Sequence, residues 1–367
     1  MTLSASASHR PSHGATSASA WVPNRSRNRR SPHNRTTLRA LLATLLVATA
    51  ALQAENVSTF SIVAHDPAAG DWGVAVASRY FSVGSVVPWA EAGVGAVATQ
   101  ANVNVGYGPR AIELLKQGLT AKQVLEKLLA EDTFEGKDGR QIAIVDSKGN
   151  LAAFTGPKAP NWAGDRQGKT RQGTSWSAQG NILVGPQVPE SMGKAFEATD
   201  GELAEKLWAA LKAGDDAGGD SRGKQSASML VVRKGGGRNL NNDRYIYINV
   251  DDAPNPLPEL RRLLDINLGL LYQEKVGKLL GANDLSGARE AARKIVHYQP
   301  NNPQAPLTLG LLDYAAGDKS AALDSLRKAR SLDPQTFHRR FDQVAQRPAY
   351  KAVLDDRDFL KSLFEEN

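Results

Sequence analysis

The residue types that carry most enzyme chemistry are scarce in this sequence. It has no cysteine, which removes disulfides, zinc-thiolate sites and cysteine nucleophiles together. Three of its six histidines, His9, His13 and His33, precede residue 54, and the remaining His65, His297 and His338 are thin material for a metal site. No metal and no cofactor is therefore expected. There is no GxSxG elbow, HExxH, P-loop or CxxC pattern. Lys234 to Asn239 (KGGGRN) is glycine-rich, but it lies between two strand-like runs instead of opening a helix, so it reads as a hairpin loop. What stands out is a hydroxyl-bearing segment, Ser58-Thr-Phe-Ser-Ile-Val63, followed by Val74-Ala-Val-Ala-Ser78-Arg79.

Charge narrows the function classes further. The net charge of +7 resides in residues 1–54, which hold Arg10, Arg25, Arg27, Arg29, Arg30, Arg35 and Arg39 and no acidic residue. The remaining 38 basic residues balance the 38 acidic ones, so the basic footprint of a nucleic-acid binder is absent from the body. After the arginines comes an apolar run, Ala40 to Leu52, and then Gln53-Ala54. A basic arm, a short apolar core and a small residue describe a secretory signal, with cleavage expected after Ala54. The run is too short for the roughly 20 residues of a spanning helix. The expected protein is therefore periplasmic or secreted, with no membrane span once the signal is removed.

The elements that must hold any site follow from periodicity. Thr59 to Ala64 and Gly73 to Ser78 read as two strands, apolar on both faces and joined by an Asp66-Pro67 to Gly70-Asp71 turn. Val94 to Ala101 is another buried strand. A helix opens at Gly108-Pro109 with Ile112, Leu115 and Leu119 on one face. Thr120 and Gln123 form a capping-box pattern ahead of Val124, Leu125, Leu128 and Leu129. Ile142 to Val145 and Leu151 to Thr155 predict a hairpin, and Gly156 to Gly180, bearing Trp162 and Trp176, a long loop of the kind that serves as a lid, as a binding loop or as a disordered segment. Asn181 to Val184 reads as a short strand. Two helical segments follow, the second with Thr199 and Glu202 as a capping box, Leu203, Leu207 and Leu211 as its face, and Gly214 as its end. Ser226 to Arg233 and Arg244 to Asp251 are the last strands. Paired helices between antiparallel strand groups predict an α+β protein in which two sheets lie between helix layers.

Pro254, Pro256 and Pro258 break the pattern, and the rest reads helical. Asn283 to Pro300 aligns with Gly317 to Pro334 at an offset of 34 residues, the tetratricopeptide period. The organisation expected is a signal peptide over residues 1–54, a main domain over 58–258, and a small all-α tetratricopeptide-like domain over 259–367.

The opening hairpin resembles that of the N-terminal-nucleophile (Ntn) hydrolases, whose first strand begins with Thr, Ser or Cys. More specifically, residues 59 to about 265 resemble the bacterial family called domain of unknown function 1028, which is grouped with those hydrolases. The resemblance rests on Thr59 to Ala64, Ala77 to Ala101, Tyr107-Gly-Pro-Arg110, Gln179-Gly-Asn181 and Gly218 to Ser226. It implies a four-layer αββα sandwich and no particular substrate. Thr59 would be the nucleophile, with its own α-amine, of ordinary pKa about 7.7 to 8.0, as the base. Ser78 and Arg79 would line the site. Thr99, Gln100 and Asn102 or Asn181 would donate hydrogen bonds to a developing oxyanion, and Asp220, Arg222 and Gln225 would orient substrate.

Plainer roles exist for each: Thr59 as a β-branched strand residue, Arg79 as partner of Asp66 or Asp71, Asp220 as a turn residue. Cleavage after Ala54 leaves Glu55-Asn-Val-Ser58 ahead of Thr59, so an amine base requires a second cut before Thr59. Two functions remain open. One is an exported amidohydrolase or peptidase acting on a linear amide such as a peptide, an acyl amide or a cell-wall stem peptide. The other is a non-catalytic binding module whose helical repeats dock a protein or envelope partner. Homo-oligomer formation is compatible with either.

Overall fold

The computed structural model describes residues 59–365, so the expected signal peptide lies outside the described residues. This part of the chain is mixed α/β, with two antiparallel sheets and, among the described residues, ten α-helices.

Strands β1 (Thr59–Asp66), β2 (Asp71–Ser78), β7 (Gly164–Lys169), β8 (Ser175–Asn181), β9 (Ser226–Arg233) and β10 (Arg244–Val250) form a six-stranded sheet in the order β10-β9-β2-β1-β8-β7. Strands β3 (Pro88–Glu91), β4 (Gly95–Ala101), β5 (Arg140–Asp146) and β6 (Leu151–Thr155) form the second sheet in chain order. Alternation along each strand sends side chains to opposite faces. Val63, Val74, Val76, Ala96, Ala98, Ala143 and Val145 form one apolar cluster between the two sheets. Val97, Ile142 and Ile144 instead pack against α1 (Tyr107–Lys116) and α2 (Ala121–Glu131). Phe60, Ile62, Ala75 and Ala77 meet Met192 and Phe196 of α3 (Gln187–Ala198) and Leu203, Leu207 and Leu211 of α4 (Leu203–Asp216).

The predicted hairpin is β5-β6, and the Thr120–Gln123 capping box forms with both of its hydrogen bonds. Three local expectations fail. The long loop expected over residues 156–180 contains β7 and most of β8; its Gly- and Lys-rich composition hides the period because β7 is an edge strand with exposed positions. The strand expected from Asn181 ends there, since Ile182 turns the chain into the left-handed region (φ 54°). Thr199 and Glu202 make no capping box. Glu202 is the N-cap of α4 without a side-chain cap, and its carboxylate instead accepts from the Tyr245 hydroxyl at 2.6 Å and from the Tyr272 hydroxyl.

Helix α5 (Pro256–Gly281) starts with prolines in its first turn and is followed by α6 (Leu285–Tyr298), α7 (Gln304–Ala315), α8 (Lys319–Leu332), α9 (Phe337–Ala345) and α10 (Arg357–Phe364). Asp284 caps α6 by accepting from Gly287 N, and Asp318 caps α8 in the same way from Ala321 N, an offset of 34 residues at donor and acceptor alike. Leu257, Leu260, Leu264 and Leu268 of α5 share one apolar cluster with Tyr245, Ile246 and Ile248 of β10, so the helical tail and the six-stranded sheet are packed through a continuous core. No helix among the described residues is long and apolar enough to cross a membrane.

His65 is buried (5 % exposed), stacks on Trp72 with ring centroids 4.5 Å apart, and has no partner for Nδ1. Burial lowers its pKa, against the opposing pull of Asp66 and Asp146 and with a smaller contribution from Lys169. A histidine whose folded pKa lies below its unfolded value of about 6.5 stabilises the fold above that value and loses the contribution as pH falls toward the folded pKa. His65→Phe, which keeps the ring stack, should therefore lose less stability than the wild type between pH 7 and pH 5. Parallel melting curves across that window would contradict the assignment.

Candidate functional site

Thr59 opens β1, which lies in the sheet interior with β2 on one side and β8 on the other. Register places Thr59 opposite Ser78 on β2 and opposite Asn181 on β8, while Ser78 in turn pairs with Ser226 on β9. The four polar residues thus form one row at one end of the sheet, on the face turned toward the second sheet. Thr59 is 2 % exposed and its Oγ1 lies 2.9 Å from Ser78 Oγ.

The second sheet answers this row with two glutamines, Gln100 on β4 and Gln141 on β5, which are register partners. Gln100 Nε2 donates to the Thr59 carbonyl at 3.2 Å and to Gln141 Oε1 at 2.8 Å, while Gln100 Oε1 accepts from Ser61 Oγ at 2.6 Å. Asn181 Nδ2 reaches the Thr59 carbonyl at 3.5 Å and Gln141 Oε1 at 3.3 Å. Gln141 Nε2 donates to Thr155 Oγ1 and to the Gly180 carbonyl, both at 2.9 Å. Gln179 Nε2 ties Ser61 Oγ to the Ala98 carbonyl. A buried amide network of this kind holds its members in one arrangement, because any orphaned group would carry the full cost of desolvation.

This geometry changes the role expected of two residues. Both amide hydrogens of Gln100 are directed at the Thr59 carbonyl and Gln141, and those of Asn181 at the same two acceptors. In this arrangement they fix the Thr59 main chain instead of facing an oxyanion. Thr99 points to the opposite face of β4 from Gln100 and its hydroxyl donates to the Asn104 carbonyl at 3.3 Å. Asn102 is exposed and donates to the Gly136 carbonyl at 3.0 Å. Neither Thr99 nor Asn102 joins the network.

Ser78 is followed by a second cluster. Asp220, 7 % exposed, accepts from Arg79 N at 3.2 Å, from Arg222 N at 2.8 Å and from the Arg222 guanidinium at 3.1 Å. Arg79 itself is exposed and its Nη1 donates to the Arg222 carbonyl at 2.6 Å. Arg79 therefore pairs with neither Asp66 nor Asp71; Asp71 belongs to Arg233. Gln225 N donates to the Ser78 carbonyl at 2.8 Å, but its side chain turns to Asp252. Asp220 and Gln225 thus hold the N–H and the carbonyl of the Ser78–Arg79 peptide unit.

Two left-handed residues close the strands that deliver the amides: Ala101 (φ 65°) follows Gln100 and Ile182 (φ 54°) follows Asn181. A β-branched residue in this region is strained by about 1 kcal/mol or more, and such strain persists only where the surroundings hold it.

A cavity of about 40 Å³ opens beside Thr59 and Gln100, walled by Tyr80, Val83, Val87 and Val103. Larger clefts lie elsewhere, among them one of about 340 Å³ at the start of α1, beside Tyr107 and Asp132. Another of about 240 Å³ lies between α5 and the Lys234–Gly237 turn, and one of about 350 Å³ between α5, α7 and α9. Size would favour them, yet none brings a buried serine or threonine hydroxyl together with an orienting network. No cluster of three or more His, Cys, Asp or Glu side chains suited to a metal is found among the described residues.

Ser61, Gln141 and Gln179 are the network members to which the sequence assigned no site role. Ser61 alternates with Phe60 and Ile62, and a polar residue at a position buried on both sides was the available signal. Gln141 lies next to an apolar run and was indistinguishable from a strand edge. Replacing this hub by leucine (Gln141→Leu) takes one hydrogen-bond partner from each of Gln100 Nε2, Asn181 Nδ2, Thr155 Oγ1 and the Gly180 carbonyl. The expected cost is about 3 kcal/mol of unfolding free energy, readable by denaturant titration; a loss under about 1 kcal/mol would contradict the hub role.

No curated protein matches the chain. Among solved structures it is similar to the crystal structure of protein SPO2555 from Silicibacter pomeroyi, itself described as DUF1028, at 32% sequence identity and a TM-score of 0.50, over 56% of this chain and 84% of that one. Residues 59–260, more than half of the chain, match the family of unknown function DUF1028 and begin at Thr59 itself, and the chain belongs to that family.

Proposed function

We propose that the main domain is an Ntn-type amidohydrolase that becomes active when the chain is cut before Thr59, in a protein exported to the periplasm or the cell exterior. The observation that carries this reading is the environment of Thr59. It is a buried hydroxyl at the head of an interior strand, 2.9 Å from a second hydroxyl, with its own carbonyl gripped by two amides from two strands. The two facing antiparallel sheets, each backed by a helix pair, support the αββα sandwich of that superfamily. The 34-residue offset between α6 and α8 supports reading the tail as tetratricopeptide-like.

Once the Ser58–Thr59 bond is broken, the Thr59 α-amine, with an ordinary pKa near 8, can take the hydroxyl proton without a histidine. Thr59 Oγ1 then attacks the amide carbonyl carbon to give a tetrahedral intermediate. Collapse breaks the C–N bond, and the departing amine takes the proton from the Thr59 ammonium. The acyl ester left on Thr59 is attacked by water, which gives one proton to the same amine and its hydroxyl to the acyl carbon; the bond to Oγ1 then breaks and Oγ1 takes that proton back from the ammonium, restoring the enzyme. Ser78, within hydrogen-bond distance of the attacking oxygen, orients it.

The test is a chain with a site-specific protease site placed so that cleavage leaves Thr59 first, compared with a chain that keeps Ser58. Amide hydrolysis by the first alone supports the reading. Equal activity of both, or none from either on aminoacyl anilides, defeats it.

A further inference from the structure

The cavity beside Thr59 bears on what such an enzyme would accept. Val83 and Val87 in its wall are 1 % and 2 % exposed, Tyr80, Val86, Ala101 and Val103 complete the lining beyond Thr59 and Gln100, and no charged residue lines it. The loops that carry Tyr80 and Val103 also expose Phe81 (62 %) and Val105 (38 %), beside the polar Arg79 and Asn102.

We infer that this cavity is the acyl-side subsite of Thr59 and accepts an amide whose acyl group carries a small, uncharged aliphatic side chain. The inference rests on the reading of Thr59 as nucleophile. Three features lead to it. First, the acyl group stays bonded to Thr59 Oγ1 between the two half-reactions while the amine must leave, so the recess next to the hydroxyl suits the acyl side and the solvent side suits the amine. Second, the volume of about 40 Å³ is well below the ~150 Å³ that accommodates benzene in an apolar protein cavity, which limits the side chain to about one to three carbons. Third, an acyl side chain bearing charge would be desolvated there with no opposite charge in the wall. The polar groups bordering the cavity, Thr59 and Gln100, lie where the scissile amide would sit.

The experiment uses the full chain matured to start at Thr59 and a series of p-nitroanilides of alanine, valine, phenylalanine, glutamate and lysine. The expected kcat/KM for alanyl or valyl substrates exceeds that for the other three by at least about tenfold, the discrimination that pocket size alone supplies. Val87→Ala, which widens the cavity, should raise the phenylalanyl to alanyl ratio. Val103→Phe, on a partly exposed wall, should fill it and lower alanyl hydrolysis at least about tenfold. Thr59-dependent hydrolysis that prefers a charged or aromatic acyl group, or a preference unmoved in both variants, overturns the subsite and leaves the nucleophile standing. Absence of hydrolysis on every substrate defeats the nucleophile instead. The cavity is then decided by ligand-observed NMR on the same chain with isobutyramide and benzamide. Binding of isobutyramide alone upholds the size and polarity assignment, and binding of benzamide or of neither overturns it.

Discussion

Substituting Thr59 by alanine is expected to lower amide hydrolysis by the matured chain by on the order of a thousandfold or more, the usual consequence of deleting a covalent nucleophile. Thr59→Ser, which keeps the hydroxyl and the α-amine, should restore a substantial part of the rate. Stability separates this outcome from misfolding. The alanine variant loses one buried hydroxyl contact, to Ser78, and the main-chain grip of Gln100 and Asn181 is untouched, so the expected cost is about 1 kcal/mol. Thr59→Ala with unchanged hydrolysis and an unchanged melt would mean that Thr59 is a strand residue and nothing more.

The largest expected effect on stability lies away from the site, at the pair formed by Asp71 and Arg233. The Asp71 side chain has no solvent exposure and accepts from Arg233 Nε at 2.6 Å and Nη2 at 2.8 Å, while the guanidinium lies 4.0 Å from the Tyr245 ring centre. Arg233→Met leaves a buried carboxylate unpaired, and breaking a buried pair from one side costs about 3 to 5 kcal/mol. Burial already raises the Asp71 pKa in the intact protein, with Arg233 opposing the shift. Without the arginine only raising influences remain, burial first and then the Glu202 and Asp66 carboxylates. A carboxyl whose folded pKa lies above its unfolded value stabilises the fold below the unfolded pKa and loses that contribution as pH rises through the folded one. The Arg233→Met penalty should therefore be larger at pH 7.5 than at pH 5, and Asp71→Leu in the same chain should recover much of it. A penalty independent of pH would contradict the unpaired-charge explanation.

Much of this architecture was legible in the sequence because apolar periodicity records burial. Ile142 and Ile144 face one layer and Ala143 and Val145 the other, as a strand covered on both sides must arrange them. Asp284 and Asp318 show the 34-residue repeat both as sequence and as helix caps. What periodicity could not convey is the polar side of the same strands. Residues 164–169 alternate polar with polar and read as a loop. Glu202 has the residue type of a capping box, yet two tyrosines from β10 and α5, distant in sequence, claim its carboxylate. At the site, Thr59, Ser78, Gln100 and Asn181 were identified and meet as one network. Their orientation depends on Gln141 and Gln179, whose contacts arise only when the second sheet closes over the first. Thr99 was misplaced for the simplest reason: adjacent strand residues point opposite ways, so it and Gln100 cannot both face Thr59.

The central claim is that Thr59 becomes the first residue of the working protein, and N-terminal sequencing with intact mass of the chain recovered from the exported fraction tests it most directly. A protein beginning at Thr59 is the predicted result, together with a Thr59→Ala variant that keeps the residues ahead of position 59 if the cut is autocatalytic. A stable protein that begins at Glu55 or further upstream and hydrolyses amides in that form would contradict it.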